Sequence, residues 1–148
     1  MNATAQDRVY FEDVIVDHVF ETPAITLTEA HVGMYGGLVD DRAAEARAVP
    51  ELLPLCLSSG LGWRLPQPPL EVLAFMGFEW KFIHAASVGD TIRCVSRSLT
   101  KRAMKDAGVV VEERRILNQR DEVIQWGKLT LLVAKRPASG PAPAGRAS

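Results

Sequence analysis

Pro50-Glu51-Leu52-Leu53-Pro54-Leu55-Cys56-Leu57-Ser58-Ser59-Gly60-Leu61 decides the fold. Proline opens this stretch where a helix loses little, because the first helical N–H has no intrahelical acceptor. Pro54 still falls close to the first turn. The rest is apolar nearly all round, with small residues at 58–60, which predicts a buried helix with close neighbours. Residues 64–69, Arg-Leu-Pro-Gln-Pro-Pro, form neither helix nor central strand. From Leu70 the apolar period changes to two. Residues 75–83, 91–100, 109–117 and 122–134 read as strands, with turns at Gly89-Asp90 and Asn118-Gln119-Arg120-Asp121. In the last strand Val123, Gln125, Gly127, Leu129, Leu131 and Val133 share one face. One early apolar helix followed by antiparallel strands gives an α+β layer fold, a curved sheet wrapped around a central helix.

Outward from that frame, residues 10–20 alternate acids with Phe11, Val14, Val16 and Phe20, a short strand or loop on the core. Thr26, Thr28 and Glu29 supply the caps of a first helix, which Gly33, Gly36 and Gly37 weaken. A polar stretch runs from Asp40 to Arg47. Residues 1–8 read as a flexible arm, 9–136 as one domain and 137–148, rich in proline, alanine, glycine and serine, as a disordered tail.

The 148 residues are close to what one domain takes, and 47% apolar composition is that of a globular chain. No apolar run reaches a membrane span, and the polar opening has no secretory hydrophobic region. Cys56 and Cys94 stand far apart and form neither a disulfide framework nor a metal cluster. A reducing cytoplasm is the expected setting, with no membrane, no metal and no cofactor. The net charge of −1 hides an asymmetry: residues 1–51 carry ten acids and three arginines, whereas 52–148 carry fourteen bases and eight acids. Pairing of the two halves in the fold accounts for this better than nucleic acid, since no basic run is interleaved with aromatics.

Four pieces resemble the MaoC-like (R)-specific enoyl-thioester hydratases: Tyr10-Phe11-Glu12-Asp13; Ile25-Thr26-Leu27-Thr28-Glu29-Ala30-His31; Trp80-Lys81-Phe82 followed by Val88-Gly89-Asp90-Thr91; and Asn118-Gln119 before the last strand. The resemblance covers residues 10–135 and implies a hotdog fold. It also implies hydration or dehydration of an acyl chain on a thioester carrier. An aspartate and a histidine five positions later hold the water in that family, and backbone N–H groups at the start of the central helix hold the enolate oxygen. Asp41 falls on the aspartate, but Ala46 stands where the histidine would be. In the neighbouring register Asp40 leads to Glu45, a substitute base if desolvation raises its carboxyl.

The catalytic candidates are therefore Asp41 and Glu45, with Tyr35, Glu51, Leu52 and His84 as substrate contacts. His18 and His31 read as surface residues, Ser58 and Ser59 as close-packing positions. Trp63, Trp80, Trp126, Phe75 and Phe78 read as core or dimer interface. The expected ligand is a small acyl-thioester or polyketide-like molecule, and the expected assembly a homodimer or a heterodimer with a motif-bearing homologue. Three functions compete: a divergent hydratase or dehydratase, a hydro-lyase; a non-catalytic subunit that shapes the acyl tunnel; and a hotdog thioesterase using Glu51 as its acid.

Overall fold

The period-two segments form one antiparallel sheet. A computed structural model describes residues 8–39 and 48–138. Its elements are β1 (Val19–Glu21), β2 (Ile25–Thr26), α1 (Glu29–Val39), α2 (Leu52–Gly62), β3 (Val72–Phe82), β4 (Thr91–Ala103), β5 (Ala107–Leu117) and β6 (Val123–Ala134), with a 3₁₀ turn at Phe11–Asp13. The strands lie in the order β1-β4-β5-β6-β3, and β2 also pairs with β4. The polar stretch from Asp40, with Asp41, Glu45 and Ala46, lies outside the described residues, as do most of the arm and the tail.

Strand alternation sorts the side chains. Ile92 and Cys94 of β4, Val110 and Ile116 of β5, and Leu129, Leu131 and Val133 of β6 are buried. The last strand departs from simple alternation at one point. Ile116 pairs with Gln125 and Leu117 with Val123, so Ile124 is an extra residue and is buried beside Gln125.

Thr28 caps α1: its hydroxyl accepts from the His31 N–H at 3.3 Å, and its own N–H donates to His31 Nδ1 at 3.1 Å. This reciprocal cap carries the helix through three glycines to Val39. On α2, Leu53, Pro54, Ser58 and Leu61 are buried, while Leu52 is 46% exposed and Cys56 is exposed. The expected all-round burial is thus half met within one chain, because a helix resting on one sheet has one covered side.

Two apolar clusters fill the concave face. Leu53 and Val49 pack with Leu27, Val32, Ile92, Ile116 and Ile124 in the first. Phe11 and Val14 cover Val110, Leu129, Leu131 and Val133 in the second. Trp80 touches both. Its ring crosses Gly127, its partner on β6, and a side chain there would collide with that ring and with the Glu79 carbonyl.

The turns are tied by side chains. Asp90 accepts from the Ser87 N–H at 2.8 Å and from Gln119 Nε2 at 2.9 Å, which together hold its carboxyl below the usual carboxylate range. Gly89 there has φ +98°, a conformation other residues rarely adopt. Acidic and basic halves of the chain meet at Arg93–Glu21 (2.5 Å) and Arg136–Asp13 (2.6 Å). Exposed pairs of this kind add little to stability, because water screens them.

Gly127→Ala should destabilise the fold by about 1–3 kcal/mol, the range for overpacking a tight site. Urea unfolding measures it, and an unchanged midpoint would show that Trp80 does not lean on this position.

Candidate functional site

The start of α2 is short of hydrogen-bond acceptors. The Leu53 N–H donates to the Pro50 carbonyl at 3.0 Å, and Pro54 has no N–H. The N–H groups of Glu51 and Leu52 have no acceptor among the described residues. They sit at the positive end of the helix dipole, where an anionic oxygen is favoured.

A cavity of about 150 Å³ opens there, between Pro50, Glu51 and Pro54 on one side and Phe82, His84 and Gln125 on the other. The segment after β3 brings in His84, whose N–H donates to the Ile124 carbonyl at 3.1 Å. Gln125 is 3% exposed. Its Nε2 donates to the Glu51 carbonyl at 2.8 Å, and its Oε1 accepts from Trp80 Nε1 at 3.0 Å. One amide therefore fastens the helix start to the sheet beside the cavity.

The fold brings together two of the expected substrate contacts, Glu51 and His84. Tyr35 packs against the first apolar cluster, and neither it nor Leu52 lines the cavity. Asp41 and Glu45 lie outside the described residues. His31 belongs to the cap of α1, and His18 is exposed, edge-on to Phe20 at 4.6 Å. Ser58 donates to the Leu55 carbonyl at 2.7 Å, as a packed helical serine does. Burial raises the Cys94 thiol, which keeps it protonated. Among the described residues no three His, Cys, Asp or Glu side chains converge on a possible metal, and no helix is long and apolar enough to cross a membrane.

Gln125 is the residue that the sequence reading assigned only to a strand face. Its signal was there, a polar amide at an inward position between Val123 and Leu129. What it binds depends on a helix 74 positions earlier.

No protein-family model matches the chain, and no curated protein sequence does. Solved structures do. An Archaeoglobus protein described as a monoamine oxidase regulatory protein superposes with a TM-score of 0.79 and 22% identity, over 88% of this chain and 97% of that one. A MaoC-like dehydratase from Rhodospirillum rubrum gives 0.72 and 20%, over 88% and 99%. The (R)-hydratase PhaJ1 of Pseudomonas aeruginosa gives 0.72 and 16%, over 92% and 95%. Two Mycobacterium tuberculosis structures bear on assembly. They are the HadBC (3R)-hydroxyacyl-ACP dehydratase complex (0.63, 12%, 80% and 97%) and a protein with a double hotdog fold, Rv0216 (0.67, 17%, 95% and 53%). This chain has the hotdog fold of those structures.

Gln125→Leu should cost about 1–3 kcal/mol for each partner left unpaired, the Glu51 carbonyl and the Trp80 N–H. Denaturant unfolding at neutral pH checks it. A loss under about 0.5 kcal/mol, the scatter of ordinary surface substitutions, would show that the helix start is held otherwise.

Proposed function

We propose that this chain is a divergent MaoC-like hydratase or dehydratase acting on an acyl-thioester or polyketide-like substrate. The observation that carries this reading is the start of α2, where unclaimed N–H groups stand at the helix end beside a cavity lined by Glu51 and His84. The proton next to a thioester carbonyl is weakly acidic, so its removal needs a base and a donor for the enolate oxygen. The Glu51 and Leu52 N–H groups supply the donor. Asp41 orients the water, and Glu45 exchanges the proton in place of the missing histidine. A carboxylate reaches that role when an apolar surround raises its pKa. His84 and Glu51 bound the space for the acyl group, and the site works in the cytoplasm with no cofactor.

Ala46 favours a second reading, in which the chain shapes the tunnel of a motif-bearing partner subunit. HadBC is a dehydratase complex of the same fold. Both readings call for association. β3 is an edge strand of eleven residues with Leu73, Phe75, Met76 and Phe78 each 54–56% exposed, the kind of edge that a second copy or a homologue covers.

Hydration of crotonyl-coenzyme A by the isolated chain should run about 10²–10⁴ slower than with a positioned histidine. Asp41→Asn and Glu45→Gln should each lower the residual rate at least tenfold. A residual rate indifferent to both would leave the partner-subunit reading, and restored turnover on adding a motif-bearing homologue would establish it.

Light scattering at micromolar concentration should give twice the chain mass, and Phe78→Lys should shift it toward the single chain. A monomeric wild type would refute self-association through β3.

A further inference from the structure

A second and larger cleft, about 510 Å³, opens beside the C-terminal half of α2. Its size suits a small-molecule site. Val14, Phe20, Phe75, Leu129 and Leu131 give it apolar walls, and it shares no lining residue with the cavity at the helix start. Its floor is different. Ser96 pairs across the strands with Arg114, and Ser98 with Glu112. These four side chains make a polar patch on the concave face, with the cross-strand neighbours about 5 Å apart.

The patch contains an ion pair. Arg114 Nη2 and Nε both donate to the same Glu112 oxygen, Oε2, at 3.0 and 3.3 Å. The two side chains are only 20% and 12% exposed. Desolvating two charges on the inner face of a sheet adds little stability, and apolar residues of like size usually serve as well or better. On the convex face Arg97 and Arg115, 40% and 42% exposed, share Glu113, which is itself 14% exposed. Arg114 and Glu112 therefore ask for a reason other than folding.

Their unspent atoms supply one. Among the described residues, Glu112 Oε1 accepts no hydrogen bond, Arg114 Nη1 donates none, and the Ser98 hydroxyl has no partner. Both residues line the cleft, so an unspent acceptor oxygen and an unspent donor nitrogen belong to its wall, with no net charge. A hydroxyl satisfies both at once, donating to Glu112 and accepting from Arg114. A carboxylate would meet the Glu112 charge, and an ether or ketone would leave Glu112 unpaired.

We propose that this cleft binds an apolar chain bearing a hydroxyl group, and that the Glu112–Arg114 pair with Ser96 and Ser98 recognises that hydroxyl. The inference does not rest on the hydratase reading, since the two cavities are separate.

Calorimetric titration of the full chain with 1-octanol, its methyl ether 1-methoxyoctane, and octanoate tests it. The alcohol should bind at least about tenfold more tightly than either of the others, the scale of one hydrogen bond to a charged group. Amide shifts in NMR spectra should centre on Ser96, Ser98 and Leu129. The double variant Glu112→Leu with Arg114→Met keeps an apolar floor and should bind alcohol and ether within about twofold. Equal binding of alcohol and ether by the wild type would overturn the proposal without recourse to any variant. So would no binding, shifts centred elsewhere, or a preference that survives in the double variant.

Discussion

Helix α2 is too short for the sheet that it lies on. Eleven residues span about 16 Å of helix, whereas the eleven to thirteen residues of β3, β4 and β5 span about 37–44 Å of strand. A concave face of that length needs more than one cover. Leu53 and Val49 bury its first part against Ile92, Ile116 and Ile124. The Phe11–Asp13 turn and Val14 bury its last part against Val110, Leu131 and Val133. Trp80, wide enough to touch both clusters, bridges them over Gly127.

Both cavities are consequences of that mismatch. One opens at the start of the helix and the other beside its far half. At each opening the inward alternation of the strands is broken by polar residues. Gln125 stands at the first, and Glu112 and Arg114 at the second. Polar groups in such places are costly unless bonded. Gln125 is satisfied within the chain, by the Glu51 carbonyl and the Trp80 N–H. Glu112 and Arg114 satisfy each other in part and keep one acceptor and one donor unspent. The first arrangement fixes the helix start; the second leaves bonding capacity open to a ligand.

The outward faces tell a parallel story. The exposed side of α2 and the apolar edge of β3 are what one chain leaves uncovered when a single sheet meets a single helix. Phe75 and Phe78, with ring centroids 5.9 Å apart, belong to that edge. Trp126, half-buried, lies under the ammonium groups of Lys81 and Lys128, at 5.3 and 6.0 Å. Basic residues of the second half of the chain thus cover aromatic surface as well as pairing with acids.

The sequence by itself determined the kinds of element and their order. The run from Pro50 to Leu61 suits only a helix, because its two prolines fall at the start and apolar residues occupy every side of the turns that follow. The alternation after Leu70 suits only strands, because a period of two puts Val110, Ile116, Leu129 and Leu131 on one face. The threonine cap at Thr28 and the turn glycine at Gly89 were legible for the same local reason. Tertiary structure alone decided which residues meet. Gln125 finds Glu51 across 74 positions and Trp80 across 45. Arg114 and Glu112 share a wall with Ser58 and Phe20 only because the sheet curves beneath a helix too short to cover it. Local pattern records which face a residue takes. The partners on that face depend on strand order and helix length together, and neither is written in any one segment.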